Sequence, residues 1–360
     1  KDQIGEIYMI KTLILKNLGY IRKYMYLIKN REKMQKTGIL IGEPNHGNIG
    51  DAAIAIAEHK FLEEQLGIDI VTLPARFVER HTWSYKKVIS EETVILFHGG
   101  GVIGTLWPRN LQDLIDCMHL FPNNRIIIMP QTVFFSDDDN GEKVRNQLYD
   151  DFKSCNRLTL CVREKHSYDV VKKWMPGIDV RLMPDMVTYL QDYHFLDLNK
   201  KCNKEGIICC MRRDVEKVVE KDMLNRVISV LSKKLDNDIV DYTDTVLDER
   251  GIREQERMQV VTDKLNEFAS HQCVITDRLH GMVLAAITDT PCIALGCNNY
   301  KIQGVYEWIK NNKFIYFLDA EKNIDDAVDM VIKHAGESYS NIMTRDGFAE
   351  LKKLIKQELC

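Results

Sequence analysis

From Thr37 onward the chain alternates, and that alternation limits its folds more than any other feature. Short apolar runs are each followed by a stretch with apolar residues at helical spacing. Gly38–Gly42 reads as a strand and Asp51–Leu66 as a helix capped by Asp51. Strands follow at Ile68–Leu73 and Thr93–Phe97, then a helix at Leu111–Leu120 and a strand at Arg125–Met129. Helices near Glu142–Phe152 and Lys165–Trp174 alternate with strands Leu158–Val162 and Val180–Met183. Short strands alternating with helices mean parallel sheet and crossover connections.

The pattern stops in the polar, aperiodic stretch 191–204 and then restarts. Strand Gly206–Met211 leads to helix Val215–Leu235, strand Asp238–Tyr242 to helix Glu256–Ala269, and strand Cys273–Thr276 to a helix after Arg278. Strand Cys292–Leu295 and helices near Tyr306–Lys310, Asn323–His334 and Thr344–Leu359 complete the chain. At 360 residues the protein is too long for one comfortable core. The expectation is an α/β fold of two Rossmann-like domains facing a cleft, over 37–195 and 200–335. Residues 340–360 form a C-terminal helix that packs back on the first domain.

Residues 1–36 are a separate helical extension. Apolar residues at 4, 7, 14, 18, 21, 25 and 28 make a helical stripe, and nine Lys or Arg stand against three Asp or Glu. The extension is expected to pack on the body of the protein. Contact of residues 1–30 with an anionic membrane surface is the secondary reading. A net charge of −4 and a pI near 6.2 exclude the strongly basic face of a nucleic-acid binder. The ten cysteines are irregularly spaced, without a CxxC pair, and read as reduced thiols rather than a disulfide framework or zinc site. A cytoplasmic protein follows, at most peripheral to the inner face of the membrane.

In doubly wound sheets ligands bind beyond the carboxyl ends of strands, which makes every loop after a strand a candidate site. Glu43-Pro44-Asn45-His46-Gly47-Asn48-Ile49-Gly50-Asp51 places two glycines, two amides, a His and an Asp between strand and helix. It is neither a P-loop nor a dinucleotide fingerprint, but its glycines let a ligand approach the backbone at a helix start. His98-Gly99-Gly100-Gly101 follows another strand, either for close approach to a ligand or for helix–strand packing. Arg163-Glu164-Lys165-His166-Ser167-Tyr168 reads as a solvated helix start.

In the second half, Met211-Arg212-Arg213-Asp214 offers two arginines for a phosphate or diacid. Thr276-Asp277-Arg278-Leu279-His280-Gly281 puts a guanidinium fork and an imidazole within one turn of a helix start. The alternative there is a cap followed by a surface Arg and a core His; Asp277 reads as the cap. Lys301 adds a cation at the same sheet edge. If the strands are neighbours, Arg212 and Arg278 converge on one small, multiply charged anion.

The ordered set Gly42–Asp51, His98–Gly101, Arg163–Tyr168, Arg212-Arg213-Asp214 and Arg278-Leu279-His280-Gly281 resembles the polysaccharide pyruvyl transferase family, from roughly Gly38 to Trp308. The resemblance implies a two-domain protein of the glycosyltransferase-B type. It also implies transfer of pyruvate from phosphoenolpyruvate to two hydroxyls of one sugar, giving a cyclic ketal and phosphate. The acceptor would be a sugar of an exopolysaccharide, capsule or cell-wall precursor, often a lipid-linked oligosaccharide. Donor-binding and catalytic positions of the family map onto Arg212, Arg278, Leu279 and His280. Arg213 follows Arg212, so either can face the donor.

That chemistry suits the residues. Phosphoenolpyruvate carries a carboxylate and a phosphate, which Arg212, Arg213, Arg278 and Lys301 can hold. His280 is the expected general acid for the donor methylene, because an imidazole titrates near neutrality. Asp51 is expected to orient or deprotonate an acceptor hydroxyl. Asn45, Asn48, Gly50, His98, Gly99 and Gly100 are expected to line the acceptor side. No metal and no cofactor beyond the donor substrate are expected. The rivals are a nucleotide-sugar glycosyltransferase of the same fold and an inactive scaffold in polysaccharide assembly.

Overall fold

A computed structural model describes residues 20–74, 82–192, 204–247, 251–319 and 323–359. The first nineteen residues of the basic extension and most of the polar link at 191–204 lie outside the described residues. Two parallel sheets form the frame. The N-terminal sheet runs in the order β2 (Val71–Pro74), β1 (Ile39–Glu43), β3 (Ile95–Phe97), β5 (Arg125–Phe134), β6 (Arg157–Val162), β7 (Asp179–Leu182), with β4 (Gly100–Gly104) paired to β5. The C-terminal sheet runs β12 (Ile315–Leu318), β11 (Cys292–Leu295), β10 (Cys273–Thr276), β8 (Ile207–Cys210), β9 (Val240–Thr243). Strands such as Ile95–Phe97 and Cys273–Thr276 are buried along their length, as parallel strands covered on both faces must be.

Helix Ile49–Leu66 explains how the two units join. Nearly all of its first three turns is buried, from Ile49 to Glu58 with only Asp51 partly open. Small Ala52, Ala53, Ala55 and Ala57 let neighbours approach from several sides. A helix that is apolar all round must be enclosed. Helix Leu279–Ile287 is wholly buried in the same way. Both belong to one hydrophobic core that also takes in Val261, Leu265 and Phe268 of helix Arg257–Ala269. Polar contacts cross at the same place: Ile49 N–H donates to Thr245 O at 2.7 Å, and Leu247 N–H donates to Gly47 O at 2.8 Å.

Helix Arg345–Leu359 rests on the N-terminal unit. Phe348 packs against Phe61 and Tyr189, and Glu358 pairs with Arg125 and Arg157. Residues 20–29 are helical, with Leu27 in the core and Ile21, Met25 and Ile28 about half exposed. Among the described residues, no helix is long and apolar enough to cross a membrane.

Several local expectations change. Helix Ile49–Leu66 starts two residues before Asp51, and its cap is Asn48, whose side chain accepts from Gly50 N–H at 2.9 Å. Asn48 is the better acceptor because it lies outside the first turn, where Asp51 already sits. The glycine run after His98 continues into β4 rather than remaining a loop. The helix expected from Val215 begins at Lys221, because Glu216 is drawn back into an ion cluster. The edge strand β12 follows the Asn311-Asn312-Lys313 break and was not anticipated from the sequence pattern.

Candidate active site

The carboxyl ends of both sheets open onto one cavity of about 570 Å³. Its C-terminal wall is set by strand register. Thr276 of β10 pairs with Cys210 of β8, and Cys210 pairs with Thr243 of β9. Arg212 and Arg278, each two residues past its strand, therefore leave the sheet side by side, with Asp244 just past β9. Arg278 donates from Nε and Nη2 to the two oxygens of Asp244 at 2.7 and 2.9 Å, and from Nη1 to Asp214 Oδ2 at 2.5 Å. Burial works against its charge, but these two carboxylates outweigh it and raise the Arg278 pKa further.

Arg212 is 2% exposed, whereas the neighbouring Arg213 stands out in solvent at the cavity edge. Arg212 Nη1 donates to Glu216 Oε2 at 2.5 Å, and Lys301 Nζ reaches both Glu216 oxygens at 2.7 Å. Burial lowers the Lys301 pKa despite Glu216. Arg212, Arg213, Arg278 and Lys301 thus share the wall with Asp214, Glu216 and Asp244. The wall offers fixed N–H donors more than net charge.

Asp277 is not the cap of its helix. Thr276 Oγ1 accepts the Arg278 N–H at 3.0 Å, while Asp277 Oδ1 accepts the backbone N–H of Arg212 at 2.7 Å. A residue directly before the helix-start residue points across to the adjacent strand end, so Asp277 ties the two arginine loops together. Burial pushes its pKa up to about 6.

His280 lies over Gly50: a Cβ at Gly50 would fall far inside van der Waals contact with the imidazole Nδ1. Its Nε2 is 3.4 Å from Asp185 Oδ2, and Asp185 also accepts from Arg163 Nη1 at 2.7 Å. Burial opposes ionisation of Asp185, yet His280 and Arg163 hold its carboxyl well below the usual range. Arg163 is 3% exposed and lines the cavity, and Glu164 is buried beside it, so only Lys165 and His166 form the solvated helix start that the composition suggested. The Arg163 carbonyl accepts from Trp308 Nε1 across the domain boundary at 2.9 Å.

The N-terminal wall is glycine, aromatic and imidazole: Gly99, Gly100, Gly101, Trp107 and His98 all line it. His98 Nδ1 meets Glu58 Oε2 at 2.6 Å, and Glu58 Oε1 accepts from Gly99 N–H at 2.8 Å. Asp51 lines the cavity, 3.5 Å from His46 Nε2. Asn48, Leu279 and Lys301 line it as well. Asn45 and Gly50 do not: Asn45 is exposed beside Gly251, and Gly50 is covered by His280. Among the described residues, no group of His, Cys, Asp and Glu could hold a metal ion.

Sequence reasoning missed the carboxylates that position these groups: Glu58, Asp185, Glu216 and Asp244. Two of them carried a signal. Glu58 directly follows the uncharged Ala/Ile run of residues 52–57, and Asp185 follows a strand, where the sheet-edge rule already points.

The polysaccharide pyruvyl transferase family model matches residues 48–299. General stress protein 30 of Bacillus subtilis is 30% identical over 78% of this chain and 80% of its own length. Pyruvyl transferase 1 of Schizosaccharomyces pombe is 29% identical over 71% of this chain and 65% of its own. In structure, an uncharacterized protein of Klebsiella pneumoniae matches with a TM-score of 0.54 at 20% identity, covering 82% of this chain and 98% of that one. The UDP-GlcNAc 2-epimerase of Methanocaldococcus jannaschii matches with a TM-score of 0.50 at 12% identity, over 89% of this chain and 99% of its own. These structural likenesses identify the glycosyltransferase-B-like arrangement of two facing Rossmann-like units. With the model spanning the glycine loop, the arginine loops and both sheet edges, the chain belongs to the polysaccharide pyruvyl transferase family.

Proposed function

We propose that the protein transfers pyruvate from phosphoenolpyruvate to two hydroxyls of one sugar in a surface-polysaccharide precursor, forming a cyclic ketal and releasing phosphate. The observation that carries the reading is the meeting of Arg212, Arg278 and His280 in one interdomain cavity of a family member. In this reading the donor's two anionic groups lie against the arginine loops, where bidentate, charge-assisted hydrogen bonds suit phosphate and carboxylate. Arg212 Nε, buried and without a partner among the described residues, is a donor that an anion would satisfy. His280, steadied by Asp185, protonates the methylene carbon. Asp51 orients an acceptor hydroxyl from the opposite wall. The donor is a substrate, and no further cofactor or metal enters the scheme. The exposed Ile21, Met25 and Ile28 favour a peripheral membrane contact, which would keep a lipid-linked acceptor close.

Phosphate release from phosphoenolpyruvate, measured with pools of lipid-linked oligosaccharides, tests the function. Phosphate should appear in step with an acid-labile carboxylated product. Consumption of a nucleotide sugar, with no phosphate from phosphoenolpyruvate, overturns the reading.

A further inference from the structure

The cavity holds a second imidazole whose geometry differs from that of His280. His98 is 6% exposed and stands at the end of β3, where His98 N–H donates to Ile41 O at 2.8 Å. Its Nδ1 is fixed by Glu58, itself fully buried, with the other Glu58 oxygen taken by Gly99 N–H. Neither Glu58 oxygen is left to rotate away. Held so, neutral His98 carries its proton on Nδ1 and presents Nε2 as an acceptor. Nε2 is buried and has no hydrogen-bond partner among the described residues, although His98 lines the cavity. A buried acceptor left unsatisfied is costly, and a ligand hydroxyl would remove that cost.

The surroundings favour a neutral, polyhydroxylated ligand. Beside His98 lie the backbone of Gly99–Gly101, the half-exposed Trp107 and Asn110; Arg163, which approaches Gly101, is already paired with Asp185. His280 is less free, since Nε2 faces Asp185 and Nδ1 packs on Gly50.

We propose that His98, oriented by Glu58, is the catalytic base that takes the proton from an attacking acceptor hydroxyl. The assignment rests on the pyruvyl-transfer reading and supplies its missing proton step. As the acceptor oxygen bonds to C2 of the donor, its O–H breaks and the proton goes to His98 Nε2. The C2–O bond to phosphate breaks when the second hydroxyl closes the ketal. Of the two hydroxyl protons, one balances the proton gained at the methylene carbon and one leaves on phosphate. Two proton-handling groups are therefore needed, and the two walls carry one each.

The groups facing His98 are Glu58 and Asp51 of helix Ile49–Leu66 and Glu43 of β1. Burial lowers the His98 pKa, but these carboxylates outweigh it and raise it above 6.5. The acid limb of kcat should therefore lie above 6.5. His98→Asn should lose about 10²–10⁴-fold in kcat while phosphoenolpyruvate still binds. Glu58→Gln should bring the acid limb down toward 6.5, a shift that a merely structural Glu58 would not produce. A donor-independent arm follows the imidazole NMR resonance that disappears in His98→Asn, with p-nitrophenyl hexosides and N-acetylhexosaminides as probes. That resonance should titrate above 6.5 and move when a glycoside is added alone. Retained kcat in His98→Asn, an unmoved acid limb in Glu58→Gln, or no response to any glycoside overturns the assignment. A glycoside response without phosphoenolpyruvate turnover in the wild type overturns the donor reading and leaves His98 as the group that meets the acceptor hydroxyl.

Discussion

The two walls of the cavity treat polar groups in opposite ways. On the C-terminal wall Arg212, Arg278 and Lys301 are each held by a carboxylate before any ligand arrives. On the N-terminal wall one imidazole is anchored through Nδ1, and its other nitrogen, the buried Nε2, has no partner among the described residues. The first arrangement fixes direction: a guanidinium bound to Asp244 and Asp214 cannot swing, so its remaining N–H groups point where the fold aims them. The second conserves reactivity, because a base that is already satisfied cannot take a proton. Preorganised donors hold charge, and an unsatisfied acceptor moves a proton.

The largest effect should come from breaking the first wall at its centre. Arg278→Lys keeps the charge but removes the planar fork that spans Asp244 and Asp214. Charge-assisted hydrogen bonds of the kind the fork makes are worth about 1.5–3 kcal/mol each. Affinity for phosphoenolpyruvate should fall at least about 100-fold by calorimetric titration, while glycoside binding at the other wall is unchanged. Equal loss at both walls would show that the division drawn here is wrong.

The same contrast explains how much was legible in the sequence. The arginines, His280, His98 and the glycine loops were visible because each follows an apolar run that could only be a buried parallel strand. Register then did the rest: Cys210 opposite Thr276 makes Arg212 and Arg278 neighbours. The carboxylates that aim these groups were harder to see. Asp185 and Glu58 act on His280 and His98 across 95 and 40 residues of sequence, through contacts that no local pattern encodes. Asn48 rather than Asp51 caps helix Ile49–Leu66 for a similar reason, since the strand-like bridge of Asn48 to Val246 fixes where the helix can begin. The polar composition of Arg163–Tyr168 misled at its first two residues, which are buried where Trp308 of the other domain donates to Arg163 O.

A smaller effect should follow from moving a group on one wall without touching its chemistry. Gly50 is the floor on which the His280 ring lies, and a methyl there would have to displace the ring. Gly50→Ala should reduce kcat by roughly 10²-fold, as expected for a misplacement near 1 Å, with little change in donor affinity. His280→Ala sets the scale, with a loss of about 10²–10⁴-fold. If Gly50→Ala is as active as the wild type, the imidazole of His280 is not the group that must be held in place.

The smallest effect on turnover concerns what keeps the walls facing each other. Glu43 ends β1, and its carboxylate accepts from Arg257 Nη1 of the C-terminal domain at 2.8 Å and meets His59 Nε2 at 2.5 Å. Arg257 Nη2 also donates to Pro44 O at 2.9 Å, so one guanidinium ties the two domains. Burial pushes the Glu43 pKa up, but His59 and Arg257 outweigh it and bring it from 4.5 down to about 2. A depressed carboxyl contributes stability that is present above 4.5 and is lost as pH falls toward about 2. His59, raised above 6.5 against the pull of burial by the same carboxylate, contributes fully below 6.5 and loses its share as pH rises through the raised value. The tie should therefore be strongest between 4.5 and 6.5. Glu43→Gln should destabilise the protein by about 3 kcal/mol at pH 6 in denaturant titration and flatten the loss of stability below pH 4.5. It should leave the His98 resonance responsive to glycosides, because that wall is built within one domain. An unchanged acid slope in Glu43→Gln would mean that the apolar core around helices Ile49–Leu66 and Leu279–Ile287 holds the walls together without the tie.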